Sequence, residues 1–288
     1  MTGRAWRRKS SFVFGLSSVV AGIVLSQMIA YESNFLWGAD WFRNALDYCA
    51  GLFRRNETLY LIVTIALNSL VLCTLASLVF NVIKQMAMSR IALRKIRRMR
   101  DRELSVRLAC RFDCPADRLI VVNDPRALAM TIGFGKPRIV LSTGLLSLLD
   151  ERELQAVFDH EHAHLVNRDP VKLLALKILS QAFGYVPLTR WAYSNYRILS
   201  ELTADEHAIV RSGSELWLAG AMLKLIRNSD RLAANPVAAG FADGSVNYRL
   251  KQLLEPQASM PVRLGWPAAA ISVNVLTLLF VLTVLAGT

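Results

Sequence analysis

The residues best suited to chemistry in this chain are those of the segment His160-Glu161-His162-Ala163-His164, which matches the pattern H-E-x-x-H. In an α-helix, residues four apart lie on the same face, so the imidazoles of His160 and His164 can reach one metal ion. Glu161 then lies beside that ion, where its carboxylate could accept a proton from a bound water. The pattern therefore predicts a hydrolytic zinc centre.

His162 is not part of this predicted ligand set. Two residues along a helix correspond to a rotation of about 200°, so its imidazole points away from the face shared by His160 and His164. We expect an exposed histidine or one bonded to a neighbouring group. The alternative for His160 and His164 is a pair of core histidines without a metal.

A third ligand is needed, because a catalytic zinc usually takes three protein ligands and leaves a fourth position for water. Glu201 and His207 are the candidates. Glu201 is the better one, since Asp205 follows it one helical turn later and could accept the free N–H of a ligating imidazole. The alternative for Glu201 is a solvated carboxylate on a helix surface.

The helix that carries His160 and His164 has clear start signals. Asp150 is a good N-cap, and Glu153 stands at the third helical position, as in a capping box. Pro170 is expected to end the helix. Upstream, two short β-strands are predicted from β-branched residues between turn formers, at Leu119–Asn123 and Arg138–Ser142.

Three uncharged apolar runs are long enough to cross a bilayer, at about 10–31, 59–83 and 267–286. The first could instead be a signal peptide, but it is longer than a typical apolar core of one and no cleavage motif follows, so we expect a retained span. Basic residues precede the first run and follow the second, from Lys84 to Arg100. By the positive-inside rule, this distribution predicts a cytoplasmic N-terminus and an external C-terminus.

The predicted organisation is a mainly α membrane protein with one small α+β domain. Residues 1–83 would hold two transmembrane helices and a short external loop, residues 84–266 a cytosolic domain, and residues 267–288 a C-terminal transmembrane helix. The apolar segment 171–188 contains Lys172, Lys177 and Pro187. A crossing there would separate Glu201 from His160, so we expect a re-entrant, interfacial or buried helix that ends at Pro187.

The net charge of +12 does not indicate a nucleic-acid-binding protein. The basic residues lie beside apolar runs, and no nucleic-acid-binding signature accompanies them, so we expect no direct contact with nucleic acid. The four cysteines are not spaced as a zinc ribbon or a disulfide framework, and reduced thiols are expected.

The wider run STGLLSLLDERELQAVFDHEHAHLVNRDP, followed by a proline-bearing apolar segment and ELTAD, resembles the M56 family of regulatory membrane metallopeptidases. The resemblance covers residues 119–210 and implies a gluzincin-type HExxH protease fold. The related M48 family of HtpX-like proteases shares H-E-x-x-H and the downstream glutamate. Its members commonly place a membrane hairpin between the two motifs, for which the 36 residues between His164 and Glu201 are few.

The M56 resemblance implies one Zn²⁺ per chain, bound by His160, His164 and Glu201, with Glu161 as general base. The resemblance also implies supporting roles for Asp205 and Asp169. Asp169 matches an aspartate that follows the H-E-x-x-H helix in members of that family. The segment Ala127–Ser142 resembles an edge strand that pairs with an extended substrate. Arg249 resembles an arginine that follows the catalytic core in related proteins and could hold the oxyanion or the substrate backbone. The alternative interpretation is that Arg249 is a surface arginine without such a role.

Two functions fit such a protease. A regulatory enzyme would cleave itself or a cytosolic partner such as a transcriptional repressor, whereas an M48-like enzyme would remove damaged membrane proteins. The best-known M56 members carry an external penicillin-binding sensor, which is not expected in this sequence. A non-enzymatic metal-bound scaffold or receptor is the third possibility, and Glu161 argues against it because a scaffold needs no general base.

Overall fold

The computed structural model describes residues 3–37, 57–231, 248–249 and 263–287. The chain divides into two compact units. The first, here called the sheet unit, consists of Met1–Phe12, Gln85–Leu174 and Ser194–Pro261. The second, the span unit, consists of Val13–Lys84, Ala175–Tyr193 and Val262–Thr288.

The described residues form helices joined by a short sheet, as the predicted fold class requires. The helices are α1 (Gly3–Trp37), α2 (Glu57–Arg98), α3 (Arg102–Arg111), α4 (Thr143–Leu148), α5 (Glu151–Asn167), α6 (Asp169–Ala182), α7 (Pro187–Ser212), α8 (Glu215–Arg231) and α9 (Trp266–Gly287). The strands are β1 (Arg100–Asp101), β2 (Leu119–Val122), β3 (Ala129–Ile132) and β4 (Arg138–Ser142).

The sheet has the order β1-β2-β4-β3. The central strands β2 and β4 are parallel, with Leu119 beside Ile139, while β1 and β3 pair antiparallel to them. The two strands predicted from the sequence are thus the central pair. Strand β3 forms one edge of this sheet, and in the described ranges no further strand pairs with its outer side.

The sheet and the metal-binding helix share one apolar core. Strands β2 and β4 and helix α4 contribute its fully buried leucine and isoleucine side chains, and side chains of α5 and α8 join them. Burying a side chain of this size contributes roughly 1.5–3 kcal/mol. The core thereby fixes α5 against the sheet, and its fully buried members include Leu119, Ile139, Leu141 and Leu145.

Helix α5 begins as predicted. The carboxylate of Asp150 accepts from the backbone amides of Arg152 and Glu153 at 3.0 and 2.9 Å, and Glu153 Oε2 accepts from the amide of Asp150 at 3.0 Å. Glu153 also pairs with Lys224 of α8 at 2.6 Å. The start of the helix is therefore held by its own cap and by a neighbouring helix.

The predicted end of α5 was wrong. The helix stops at Asn167, three residues before Pro170, because Arg168 takes the left-handed conformation with φ 54°. Pro170 instead lies in the first turn of α6, where its missing N–H would be unpaired anyway. The predicted helix over 171–188 is likewise two elements, since α6 ends at Ala182 and α7 begins at Pro187.

Three described helices are long and apolar enough to cross a membrane, at Ala5–Ser33, Glu57–Arg98 and Trp266–Thr283. The predicted spans lie within α1, α2 and α9, although α2 has 42 residues and is about 63 Å long, well beyond a bilayer core. In the span unit, Phe183, Val186 and Leu188 are buried among apolar residues of α1 and α2. Most of the predicted external loop lies outside the described residues, and the domain division stays a prediction.

Gly144 provides a test of how tightly the sheet unit is packed. A Cβ atom at this position would lie 2.1 Å from the carbonyl oxygen of Pro125, on backbone that cannot swing aside as a side chain would. Replacing Gly144 with alanine should therefore lower the free energy of unfolding by roughly 1–3 kcal/mol, measured as a reduced thermal midpoint. Gly135→Ala, which meets nothing within 4 Å, is the control. Equal midpoints for the two variants would contradict the packing described.

Candidate metal centre

Three side chains from α5 and α7 converge at one point in the sheet unit. The Nε2 atoms of His160 and His164 are 3.2 Å apart. Glu201 Oε2 lies 3.5 Å from Nε2 of His160, and Glu201 Oε1 lies 3.7 Å from Nε2 of His164. These residues form the metal-capable group found in the described part of the chain, with ligand atoms all within 4.8 Å of one another.

Carboxylates hold the opposite side of each imidazole. Nδ1 of His164 lies 2.8 Å from Oδ2 of Asp169, whose other oxygen accepts from the Tyr196 hydroxyl at 2.7 Å. Nδ1 of His160 lies 2.9 Å from Oδ1 of Asp205, close but out of line with a straight hydrogen bond. These contacts assign the ring protons to Nδ1, so the two Nε2 atoms turn their lone pairs toward the site.

This donor set fits a zinc ion. Two imidazole nitrogens 3.2 Å apart need a metal ion or a shared proton between them, because their lone pairs would otherwise repel one another. Zinc–nitrogen bonds of about 2.0–2.1 Å in a tetrahedral arrangement separate neighbouring ligand atoms by about 3.3 Å, close to the spacing seen here. Two imidazoles and one carboxylate also suit zinc better than calcium or magnesium, which favour all-oxygen sites.

The charges of the site are tightly balanced. Burial alone would lower the pKa of His160, but the carboxylates of Asp205 and Glu201 outweigh burial and raise this pKa to about 9. Burial acts to raise the pKa of Glu201, but His160, His164 and Arg249 together hold it well below its usual range. Glu201 is therefore a carboxylate at neutral pH, while protons compete with a metal ion for the imidazole of His160.

Arg249 lies behind the ligands rather than free in the cleft. Its Nε and Nη2 atoms donate to the carboxylate of Asp205 at 2.7 and 2.6 Å, and Nη1 lies 3.1 Å from Glu201 Oε2. The side chain is largely buried and also lines the cavity beside the site. Its described contacts position two acidic residues, and the sequence-based role in binding an oxyanion or substrate stays a prediction.

Glu161 is held by the edge strand of the sheet. The hydroxyl of Thr131 on β3 lies 2.8 Å from Glu161 Oε2 and 2.9 Å from its backbone oxygen. Glu161 is buried and lines the same cavity as His160 and His164. Thr131 was not predicted as a site residue, because a lone threonine in a strand carries no signal that it faces a carboxylate.

The site opens into a cavity of about 410 Å³. One wall is formed by Leu128 and by residues Ala129 to Thr131 of strand β3, and another is the inner face of α8. The α8 side chains were not predicted as part of the site, although their spacing of three or four residues is typical of a helix face packed against a core. They are Leu218, Met222, Leu225 and Ile226.

The remaining histidines lie apart from the three ligands. His162 is half-buried, with its ring centroid 6.0 Å from that of Phe158 and 6.2 Å from that of His207. His207 is not a member of the metal-capable group, so Glu201 takes the position for which both were candidates. Tyr196, which supports Asp169, was also missed by sequence analysis, since nothing in the sequence relates it to a residue of another helix.

Residues 97–200 match the family model for Peptidase family M48. A protease HtpX homologue of Aquifex aeolicus is 32% identical over 88 residues, covering 30% of this chain and 29% of the relative. HtpX homologue 2 of Methanosarcina mazei is 28% identical over 163 residues, covering 44% and 54%. The plastoglobule-localized metallopeptidase 48 of Arabidopsis thaliana is 30% identical over 155 residues, covering 49% and 41%.

The chain thus spans between about a quarter and a half of the length of these curated relatives. The family match contains the H-E-x-x-H segment and ends one residue before Glu201. Residues 97–200 are therefore similar to the M48 family of peptidases, and these comparisons do not support the finer assignment to M56.

Zinc binding by the purified full-length protein tests the ligand set. Alanine at His160, His164 or Glu201 should each reduce bound zinc to less than about a tenth of the wild-type content after dialysis against a weak chelator, because two remaining ligands bind poorly. His162→Ala is the matched control from the same helix and should retain zinc. Loss of zinc in the control, or retention in the other three, would contradict the assignment.

Proposed function

We propose that this protein is a membrane-embedded zinc endopeptidase that binds one Zn²⁺ per chain through His160, His164 and Glu201. The observation that carries the proposal is the convergence of two imidazole lone pairs and one carboxylate within 4.8 Å, beside a buried glutamate. The M48 similarity of residues 97–200 supports peptide hydrolysis as the reaction.

Glu161 is the proposed general base. Zinc, when bound, would supply a Lewis acid and lower the pKa of water toward about 7. Glu161 would accept the proton of the attacking water and later deliver it to the leaving amine. Its contact with Thr131 engages Oε2, so Oε1 is the oxygen left to handle the proton.

The substrate backbone is proposed to lie along strand β3. This strand is at the edge of the sheet, lines the cavity from Ala129 to Thr131, and also holds Glu161 through Thr131. An extended peptide paired with such an edge gains backbone hydrogen bonds that do not depend on its sequence. The scissile bond would then be set in place by the strand that orients the base.

Arg249 is proposed as a positioning residue. Its guanidinium joins Asp205, which faces His160, to the ligand Glu201. A planar fork of donors suits this bridging of two carboxylates better than a lysine would. Because the guanidinium also lines the cavity, it can additionally contact a substrate carbonyl or the oxyanion formed from it.

Removal of damaged membrane proteins is the proposed role, in preference to regulatory cleavage. The relatives named above include HtpX protease homologues, whereas the case for a regulatory enzyme depended on the M56 resemblance. The three apolar helices support a membrane location, and we propose a cytoplasmic active site and N-terminus from the basic residues after Lys84. Self-cleavage or cleavage of a repressor remains the second candidate, and its substrate list would be short.

Comparison of protein N-termini in cells tests this proposal. Cells that express the wild-type chain are compared with cells that express Glu161→Gln at equal membrane levels. The substitution should preserve zinc content and slow hydrolysis about 10²–10⁴-fold, since it removes only the base. We expect many new N-termini in membrane proteins with the wild type alone.

Thr143→Val is the control, because its hydroxyl bonds Asp124 rather than a group in the metal centre. It should give the wild-type pattern. One or two new N-termini would favour the regulatory role instead. Identical patterns for wild type and Glu161→Gln, with zinc present in both proteins, would support the metal-bound scaffold and overturn the enzymatic proposal.

A further inference from the structure

A second cavity lies within the sheet unit, next to the N-terminal part of α1. Its volume is about 150 Å³, and polar side chains of α1, α6 and α7 form most of its wall. The lining includes Arg7, Ser10, Lys172, Tyr196, Ser200 and Thr203. It shares Asp169 with the metal-site cavity, and apart from Tyr196, which donates to Asp169, its other lining residues have no role in the proposed chemistry.

This second cavity has an excess of positive charge. Arg7, which is exposed, and Lys172, which is half-buried, make no ion pair with any residue in the described ranges. The acidic lining residue, Asp169, already has both oxygens engaged, one by the hydroxyl of Tyr196 and the other by Nδ1 of His164. Two cations are therefore left without a counter-ion beside a space that can hold one.

The hydroxyls of the wall fit the same kind of ligand. Those of Ser10, Ser200 and Thr203 donate to carbonyls of their own helices at 3.0, 2.8 and 2.7 Å. Such contacts are weak and local, so each hydroxyl can rotate to donate to a bound anion. A space of 150 Å³ accommodates one phosphate group with one or two waters, each of which occupies about 30 Å³.

We propose that this cavity binds the phosphate group of an anionic glycerophospholipid. The position of Arg7 on α1 favours a lipid. The uncharged run of that helix begins at Ser10, so Arg7 lies about 5 Å before its start, at the depth of the headgroups if α1 crosses the bilayer. Basic residues at this level attract anionic lipids.

A lipid bound here would contact the support of the metal centre. Asp169 and Tyr196 form part of the cavity wall, and Asp169 orients His164. A lipid bound in the cavity would therefore link the N-terminal part of α1 to Asp169 and Tyr196, which together orient the proposed zinc ligand His164. This consequence rests on the proposed function, whereas lipid binding itself does not.

Retention of lipid by the purified full-length protein tests the proposal. The protein in detergent is mixed with phosphatidylglycerol, phosphatidylcholine or inorganic phosphate, and native mass spectrometry counts the molecules retained. We expect one phosphatidylglycerol per chain, in preference to phosphatidylcholine. R7Q/K172Q should weaken this binding about tenfold or more because two charge contacts are lost, while R7K/K172R should largely restore it.

The matched control is K84Q/R90Q, which removes two exposed charges from α2 that line no cavity described here. It should bind phosphatidylglycerol as the wild type does. Equal loss in R7Q/K172Q and K84Q/R90Q would reduce the effect to general surface attraction and overturn the proposal. Retention of inorganic phosphate but not of phosphatidylglycerol would overturn the lipid assignment. Retention of lipid or of inorganic phosphate is measured without proteolysis. A failure of the lipid proposal is therefore distinguishable from a failure of the proposed function.

Discussion

The pairing of two imidazoles with two buried carboxylates is the interaction on which the rest of the site depends. Asp169 and Asp205 are 3% and 4% exposed, and an isolated buried carboxylate would be strongly destabilising. Each is therefore satisfied twice, Asp169 by His164 and Tyr196, and Asp205 by His160 and Arg249. Because removing one partner from such a group costs about 3–5 kcal/mol, the ring orientations are enforced by charge burial and not by packing alone.

The two helices that supply the ligands are fixed by different means. Helix α5 is held by its capping box, by the pair between Glu153 and Lys224, and by the apolar core beneath the sheet. Helix α7 is joined to α5 by the contacts of Glu201 and Asp205 with His160, and outside the site by an ion pair of 2.9 Å between Arg211 and Asp159 and by the apolar contact of Ala156 and Ala208. Metal binding and the docking of these helices are therefore coupled, and a metal ion would stabilise the arrangement that binds it.

Local rules were sufficient where a signal lies within a few residues. The capping box at Asp150, the two central strands, and the shared face of His160 and His164 follow from residue types and their spacing. The end of α5 could not be predicted in this way, because Arg168 adopts a left-handed conformation that residues other than glycine and asparagine seldom take. Thr131, Tyr196 and the apolar face of α8 reach the site only through tertiary packing, which no local pattern encodes.

Zinc K-edge X-ray absorption on the purified full-length protein tests the central claim most directly. We predict one zinc per chain, with nitrogen and oxygen neighbours at about 2.0–2.1 Å and the multiple scattering expected of two imidazoles. Sulfur neighbours at about 2.3 Å would show that cysteines bind the metal instead. That result, or scattering from fewer than two imidazoles at full occupancy, would contradict the account.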